Sequence, residues 1–365
     1  MLSYRHAFHA GNHADILKHS MLVLILKSLQ KKDKPYTLID THAGAGIYTL
    51  DDERAVKTGE AEAGIVRLLR CADEKPESVP EELLPYLDLC RAYEKNGKYP
   101  GSPEIMRNFL RPVAGGAAPA DLRAAVCDKS VVGERRPSGS AKSGTAVPSP
   151  VCDRTAPPAQ DKLVLLELHN TEIDVLRINM KRGSDSSRIH IHHRDAYEAM
   201  SALVPPEPKR GLLLMDPSYE VDSDYTNVVD SLRTAHRRWT SGIICLWYPL
   251  LKRREAETAQ MKAALRDAAA ETPCSFMTAE LIVDDSEKEA GLYGSGMAVI
   301  NPPWHLDDSM KKTLPYLASV LGVQKPGVDA VPNAGFAPRA GAVSDGAHGT
   351  QDTSFGSWNV EMYAV

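Results

Sequence analysis

The sequence has no apolar run long enough to cross a membrane. Its purely apolar stretches, such as Met21–Leu26, fall far short of the roughly 20 residues that a transmembrane helix needs. The amino terminus also lacks the apolar core of a signal peptide. We therefore expect a soluble, cytoplasmic protein without a membrane partner.

The cysteine pattern lacks any recognisable framework. Six cysteines are scattered along the chain, and none forms a C-x-x-C pair, so neither a disulfide scaffold nor a zinc site is indicated. Two groups of histidines are alternative metal ligands, but no acidic or cysteine partner stands at zinc spacing, and we expect no metal. The two groups are His6, His9 and His13, and His190, His192 and His193.

An excess of basic residues is absent as well, because the 365-residue chain has a net charge of −5. Indiscriminate coating of nucleic acid needs such an excess, so the composition argues against it. The charge is nevertheless uneven, since residues 1–35 carry six Lys or Arg against two Asp, and basic clusters occur at 233–238 and 252–254. Runs of this kind are usually solvated helix faces, and they permit nucleic-acid binding without requiring it.

Two segments, 114–162 and 324–365, are rich in Gly, Ala, Ser and Pro and have little apolar periodicity. We interpret the first as a disordered surface insertion and the second as a loosely attached tail. The rest of 1–323 is predicted to form one domain. Within it, 54–112 is predicted to be an inserted helical subdomain, ending in a helix with Ser102 as its cap.

The remaining sequence alternates strand-length apolar runs with amphipathic helical patterns, which indicates an α/β fold with a mostly parallel sheet. A helix capped by Asn12 precedes the first strand. Only residues 285–295 separate the last two strands, too few for a parallel crossover, so these strands should form an antiparallel hairpin. The pattern thus predicts a seven-stranded, doubly wound sheet with a reversed last strand. The predicted strands are Tyr36–Asp40, Leu163–Glu167, Arg188–His192, Gly211–Met215, Gly242–Trp247, Ser275–Val283 and Gly296–Asn301.

Ligands of an open α/β sheet bind outside the carboxyl ends of its strands, where the strand order reverses. The first strand runs into the glycine-containing loop Asp40–Gly46, which either approaches a ligand closely or is a plain turn. The second strand ends in Glu167, either an acceptor for ribose hydroxyls or a carboxylate that faces water. Asp195 follows the third strand, either as a helix cap or as a contact to an adenine ring. The order and placement of these signals agree with a cofactor cleft.

The fourth strand ends in Asp216-Pro217-Ser218-Tyr219, which resembles the (D/N)-P-P-(Y/F/W) motif of amino-group methyltransferases. In that interpretation the Asp216 carboxylate and the Pro217 carbonyl accept hydrogen bonds from an amino group, while Tyr219 stacks on a flipped base. Ser218 replaces the usual proline and should leave the motif less preorganised. A type I turn without catalytic function is the alternative.

Residues 301–304 are a second match to the motif, and unlike residues 216–219 they agree with it at every position. This NPPW sequence follows the reversed seventh strand, so it should leave the sheet away from the cofactor cleft. We interpret it as a strand-terminating turn in which Trp304 packs.

Several segments occur in the order seen in the bacterial 23S ribosomal RNA adenine-N6 methyltransferase family of the RlmJ type. They are MLSYRHAFHAGNHADILKH, DTHAGAG, YPGSP, LELH, DPSYE, LWYP and SGMAVINPPW, and the similarity covers residues 1–112 and 163–323. The resemblance implies a class I (Rossmann-like) methyltransferase fold with an inserted helical subdomain. It also implies S-adenosylmethionine as the cofactor, 23S rRNA as the partner, and the N6 amino group of an adenine as the methyl acceptor.

The resemblance also implies roles for individual residues. Asp216 matches the catalytic position, and Tyr4 and Lys18 match substrate contacts, with Lys18 near a phosphate. For Tyr4 and Lys18, helix packing and solvation are the alternative. The family has glycine where this chain has Ala196, which matters little if the backbone makes the contact. The implied cofactor contacts are His19, His42, Ser102, Glu167, Asp195, Ala196 and Asp216.

Three other functions stay open at this point. The chain could methylate adenine in DNA, although it has no separate basic module for reading a duplex groove. Relatives of the motif also methylate the amide of protein glutamine. A non-catalytic RNA-binding protein that lost turnover through Ser218 is the third alternative. The sequence leaves the modified adenine and the oligomeric state undetermined.

Overall fold

The computed structural model describes residues 6–50, 58–112, 160–181, 184–323, 346–350 and 355–364. Its strands are β1 (Thr37–Asp40), β2 (Ile47–Thr49), β3 (Lys98–Pro100), β4 (Lys162–Glu167), β5 (Ile189–His193), β6 (Gly211–Met215), β7 (Ile243–Leu250), β8 (Phe276–Ile282), β9 (Gly294–Ile300), β10 (Gly346–Thr350) and β11 (Ser357–Tyr363). The α-helices are α1 (His13–Gln30), α2 (Arg67–Glu74), α3 (Leu84–Glu94), α4 (Ser102–Asn108), α5 (Asn170–Met180), α6 (Ala196–Leu203), α7 (Asp224–Arg238), α8 (Glu255–Ala270) and α9 (Leu306–Leu321).

The main sheet has the strand order β10-β11-β8-β9-β7-β6-β1-β4-β5. Strands β7, β6, β1, β4 and β5 are parallel neighbours, and β9 runs antiparallel to both β7 and β8. The doubly wound sheet, its reversed last strand and the terminal hairpin are therefore confirmed, and every predicted strand is present with small shifts at its ends. Because the strand order reverses between β1 and β6, the carboxyl ends of these strands frame a crevice.

Both faces of the sheet are covered. Along β6, Leu212 and Leu214 pack in the core layer that contains α1, whereas Leu213 and Met215 pack in the layer of α7 and α8. A strand that is buried on both faces is apolar at every position, and this explains the sequence GLLLM of β6. No helix in the described part of the chain is both long enough and apolar enough to span a bilayer.

Helix α1 begins where the sequence predicts. The Asn12 side chain accepts hydrogen bonds from the backbone N–H groups of Ala14 and Asp15, each at 3.0 Å. The apolar face of the helix lies in the core, but Asp15, Lys18 and His19 are buried as well. Buried polar groups need partners inside the protein, so α1 carries polar contacts into the interior.

The excursion between β1 and β4 is largely helical within residues 58–112. It contains α2, α3, α4 and a π-helical segment at Glu62–Val66, and β3 returns to pair with β2. Helix α4 begins at Ser102 rather than after it, and Gly101 is the cap. No side chain caps this helix, so the predicted capping role of Ser102 is wrong, and its hydroxyl instead bonds to the Asp40 side chain at the end of β1.

The predicted loose tail is wrong for its last residues, and the sheet has nine strands rather than seven. Strand β11 pairs with β8 along its whole length, and Val360 within it is fully buried. Trp358, Val360 and Met362 alternate along β11 and pack in the core layer of α1 and α9. The low-complexity composition of 324–365 as a whole hides this alternation.

The predicted insertion ends earlier than expected. The Asp161 carboxylate accepts the Tyr36 backbone N–H at 3.1 Å and pairs with the Arg111 guanidinium at 2.6 Å, which fixes Asp161 at the start of β4. Residues 114–159 of the insertion lie outside the described residues.

Candidate active site

A cleft of about 830 Å³ opens at the carboxyl ends of β1, β4 and β6. This is where the topology of the sheet predicts a ligand site. Tyr4 lies outside the described residues, and Tyr219 does not line the cleft. The predicted site residues that do line it are Lys18, His19, His42, Ser102, Glu167, Asp195, Ala196, Asp216 and Pro217.

Glu167 ties the glycine loop to the end of β4. Its carboxylate accepts the backbone N–H of Gly44 and that of His169, both at 2.7 Å. Gly44 has a φ of +57°, and a Cβ there would lie 2.2 Å from the Tyr48 hydroxyl, so the loop requires glycine. Burial raises the pKa of Glu167, against the backbone hydrogen bonds that lower it. The remaining lone pairs of the carboxylate are available to hydroxyl donors in the cleft.

Asp195 is the cap of helix α6. Its Oδ1 atom accepts the backbone N–H groups of Tyr197 at 2.8 Å and Glu198 at 3.1 Å, which confirms the cap interpretation. Its Oδ2 atom has no hydrogen-bond partner among the described residues. Ala196, the first residue of the helix, is 5% exposed and brings its backbone to the cleft wall.

Two buried histidines stand in the cleft wall without charge. Burial lowers the pKa of His42 to about 4 and that of His19 to about 3. The Nδ1 atom of His42 accepts the backbone N–H of Asp216 at 3.4 Å, and Nδ1 of His19 lies 2.6 Å from the Tyr99 hydroxyl. The Nε2 atom of His19 is buried and has no hydrogen-bond partner in the described part of the chain.

At the other end of the cleft, Lys18 joins Asp216 to helix α1. The Lys18 ammonium contacts Oδ2 of Asp216 and lies 2.8 Å from Oδ1 of Asp15, while the Lys18 side chain is only 4% exposed. Burial by itself would lower the pKa of Lys18, but the two carboxylates outweigh it and raise that pKa above its ordinary value. Lys18 is therefore a buried, permanently charged group.

Asp15 completes this cluster, and the sequence analysis did not identify it. Its Oδ2 atom lies 3.0 Å from Nε2 of His6. Burial opposes its ionisation, but His6 and the Lys18 ammonium hold the pKa of Asp15 well below its usual range. The i, i+3, i+4 spacing of Asp15, Lys18 and His19 on an otherwise apolar helix was the available signal. Two carboxylates enclose the Lys18 ammonium group, and its predicted contact with a phosphate stays a prediction.

Tyr219 is turned away from the cleft. Its backbone is left-handed with a φ of +52°, its hydroxyl donates to the Trp247 carbonyl at 3.1 Å, and its ring lies 4.8 Å from that of Tyr225. A positive φ is uncommon for a bulky residue and indicates that its surroundings impose the conformation. The predicted stacking of Tyr219 on a base is therefore not available in this conformation, and Ser218 lines the cleft instead.

The NPPW segment is a turn, as predicted, between β9 and α9. Its Trp304 is 84% exposed, so the predicted packing of this side chain is wrong. Because β9 is antiparallel to its neighbours, this turn lies at the end of the sheet opposite the cleft.

The residues of the cleft belong to a chain with clear relatives. A family model described as ribosomal RNA large subunit methyltransferase D, RlmJ, matches residues 33–123 and 139–331. Ribosomal RNA large subunit methyltransferase J of Escherichia coli K12 is 36% identical over 324 residues, covering 88% of this chain and 94% of the relative. The protein of the same name from Haemophilus influenzae is 33% identical over 325 residues, with the same coverage of 88% and 94%.

A solved structure agrees with these matches. The crystal structure of a Legionella pneumophila protein superposes with a TM-score of 0.65 at 25% identity, covering 98% of both chains. The superposition spans the whole fold, and the sequence matches span both ends of the cleft. The chain belongs to the RlmJ family of ribosomal RNA large subunit methyltransferases.

Proposed function

We propose that this protein transfers a methyl group from S-adenosylmethionine to the N6 amino group of an adenine in 23S rRNA. Family membership supports the reaction class and the substrate. The observation that carries the proposal is the position of Asp216, whose carboxylate stands in the cleft at the end of β6 and is held by buried Lys18. Across the cleft stands the loop tied by Glu167.

The polar groups of the cleft fit this cofactor. The Glu167 carboxylate would accept the ribose hydroxyls, and Oδ2 of Asp195 would accept the amino group of the cofactor's adenine. The Nε2 atom of His19 is buried and has no hydrogen-bond partner among the described residues, and a bound ligand that bonded to it would remove the cost of leaving it unpaired. When bound, S-adenosylmethionine supplies an electrophilic methyl group on a positively charged sulfur. His19 and His42 are neutral, so they do not repel that charge.

The methyl acceptor at the substrate end of the cleft, an adenine amino group, is a weak nucleophile. The lone pair of an adenine amino nitrogen is delocalised into the ring. Hydrogen bonds from its two N–H groups to the Asp216 carboxylate and the Pro217 carbonyl would localise that pair on nitrogen. The carboxylate also stabilises the positive charge that develops on nitrogen as the methyl group arrives.

Lys18 determines which carboxylate oxygen of Asp216 is left for the substrate. Its ammonium occupies Oδ2 of Asp216, so Oδ1 is the oxygen left for the amino group. Asp15 holds the ammonium from the other side at 2.8 Å, which fixes the position of the pair. We therefore assign Lys18 and Asp15 as positioning residues and Asp216 as the catalytic residue.

The test uses methyl-labelled cofactor with unmodified 23S rRNA, duplex DNA and a glutamine-containing peptide. We expect N6-methyladenine in the RNA alone. The Asp216→Asn variant should lose roughly 100- to 1,000-fold in rate, because it lacks the charge that stabilises the transition state, while it still binds the cofactor. Label in DNA but not in RNA would reject the rRNA substrate. Cofactor binding without transfer to any substrate would favour the non-catalytic alternative.

A further inference from the structure

Four cations of the two basic clusters that the sequence singles out at 233–238 and 252–254 are paired with carboxylates in the folded chain. Arg233 and Arg237 both contact the Glu271 carboxylate, at 3.6 and 2.7 Å. Lys252 and Arg254 each lie within salt-bridge distance of two carboxylates. An adjacent carboxylate repels an incoming phosphate, so these cations are poor candidates for contacts with an RNA backbone.

A different set of basic side chains follows β5, the outermost strand of the described sheet on that side. His190 and His192 are exposed and alternate along β5, so they share one face of the strand, and the exposed Arg194 is the first residue after it. Lys162 of β4 stands on the same face, because Val164, two residues later, pairs with His190. We call these four residues the β5 basic row: Lys162, His190, His192 and Arg194.

The β5 basic row is not neutralised. None of its members has a carboxylate within salt-bridge distance among the described residues. Lys162 donates to the backbone carbonyl of Glu207 at 2.7 Å, which leaves its charge uncompensated. Burial, and then Lys162 and His192, lower the pKa of His190, so its imidazole is neutral near pH 7 and offers a hydrogen bond rather than a charge. The permanent charges of the row are those of Lys162 and Arg194, and these two uncompensated cations attract a polyanion.

The row also leads into the cleft. Arg194 lines the cleft wall, and its backbone N–H bonds to the carbonyl of Glu167 at 3.3 Å. Alternate residues of a strand are about 6.6 Å apart, so the row presents its side chains in a line that ends at the cleft mouth. A nucleic-acid strand lying along β5 would therefore reach the mouth of the cleft beside Asp195, and a base extended from it would have to cross the ends of β4 and β1, about 14 Å, to reach Asp216 on β6.

We infer that the β5 basic row binds the phosphate backbone of the substrate RNA and holds it at the mouth of the cleft. The inference rests on the proposed function, because it assigns a surface to the substrate of that reaction. Phosphate contacts position a nucleic acid and make its binding dependent on salt, but they carry no sequence information. The row therefore acts on the affinity for RNA and not on the chemical step.

The test compares a row variant with a matched control variant in binding to an unmodified 23S rRNA transcript. The row variant is Lys162→Gln, His190→Gln and His192→Gln, and the control is Lys31→Gln, Lys32→Gln and Lys34→Gln. The control lysines are exposed and stand before β1, at the end of the sheet opposite the cleft. The dissociation constant is measured at several salt concentrations between about 50 and 200 mM, the range in which phosphate contacts are strongly screened.

We expect the row variant to weaken RNA binding about 3- to 10-fold and to reduce the slope of log affinity against log salt by about 1. Addition of Arg194→Gln should reduce that slope by about one more. The kcat at saturating RNA and the affinity of the row variant for the cofactor should equal those of the wild type. The control variant should bind RNA as the wild type does.

An unchanged dissociation constant and slope in the row variant would overturn the inference. Equal losses in the row and control variants would also overturn it, because overall charge would then explain the effect. Lys162→Gln alone provides the same comparison with a single half-buried substitution if the triple variant folds poorly. These binding measurements need no turnover. A wild-type protein that binds RNA through the row but never methylates it would reject the proposed function and leave this inference intact.

Discussion

The two ends of the cleft are built from different kinds of contact. At the end that we assign to the cofactor (the cofactor end), carboxylates accept backbone N–H groups: Glu167 binds those of Gly44 and His169, and Asp195 caps its own helix. At the end that we assign to the substrate (the substrate end), buried side chains contact one another, with Lys18 enclosed by Asp15 and Asp216. The first end is a preformed backbone cradle, whereas the second is a charged cluster that depends on how two distant elements pack.

This difference predicts which properties of the protein a substitution at each end should change. A carboxylate that accepts backbone N–H groups stabilises its own loop, so its loss should weaken ligand binding locally. A buried ion pair behaves otherwise, because removal of one partner leaves an uncompensated charge inside the protein. Substitutions at the substrate end should therefore affect stability and turnover together.

The largest effect should come from Lys18→Met. It leaves Asp15 and Asp216 facing each other without a cation, so we expect the free energy of unfolding to fall by about 3 to 5 kcal/mol. The kcat should fall roughly 100-fold, because Asp216 loses the contact that orients it. Urea unfolding and methyl-transfer assays at saturating substrates measure the two effects.

Two further variants separate positioning from folding. Asp15→Asn combined with Lys18→Met should recover much of the stability but not the turnover, since Asp216 still lacks its partner. Lys27→Met, on the exposed side of the same helix, should leave both quantities near wild type. A Lys18→Met protein with wild-type kcat would remove Lys18 from the mechanism and leave it a structural role.

The same difference explains what the sequence could predict. The sheet topology follows from apolar runs and connection lengths, and the cofactor-end carboxylates stand at strand ends, so local patterns locate both. The contact of Lys18 with Asp216 joins residues 198 positions apart, and it depends on the packing of α1 against the sheet. No local pattern reports that packing. Tyr219 was misplaced for a related reason, since the motif does not encode the left-handed backbone that turns its ring toward Tyr225.

At the cofactor end, Glu167→Gln should raise the dissociation constant of S-adenosylmethionine about 10- to 100-fold, the expected cost of a lost charged hydrogen bond. The amide also turns an NH2 group toward one of the two backbone N–H groups, which loosens the loop at Gly44. Calorimetric titration measures the affinity. The kcat at saturating cofactor should change little, and Glu198→Gln on the exposed side of α6 is the control. A fall in kcat with unchanged affinity would contradict the backbone-cradle description.

Asp40 connects the two ends and gives a pH-dependent test. Burial raises its pKa from 3.8 to about 6, with Ser102 and the His42 N–H opposing the shift and Asp216 adding to it. Because the folded pKa lies above the unfolded one, the ionisation of Asp40 costs stability. That cost is absent below pH 4, grows between pH 4 and about 6, and is complete above it.

Asp40→Asn should therefore raise the free energy of unfolding by about 3 kcal/mol at pH 8 and leave it nearly unchanged near pH 4. Asparagine keeps the oxygen that accepts the His42 N–H, so the loop should be preserved. Unfolding curves of both proteins at the two pH values test this. A gain of equal size at both would show that ionisation is not its cause.

The smallest effect should come from Ser218→Pro, which restores the usual third residue of the motif at the substrate end. Proline fixes its own φ and restricts Pro217 to extended conformations, and such restrictions contribute about 0.4 to 1 kcal/mol where the native backbone tolerates them. If the same free energy stabilises the transition state, kcat should rise roughly 2- to 5-fold, while the affinity for the cofactor stays unchanged. Ser218→Ala removes the hydroxyl without restricting the backbone and should behave like the wild type. A decrease in kcat for the proline variant alone would mean that the freedom of Ser218 is needed to bring Tyr219 from its contact with Trp247 to the substrate. In that case the substrate end would work by rearrangement, whereas the cofactor end is preformed.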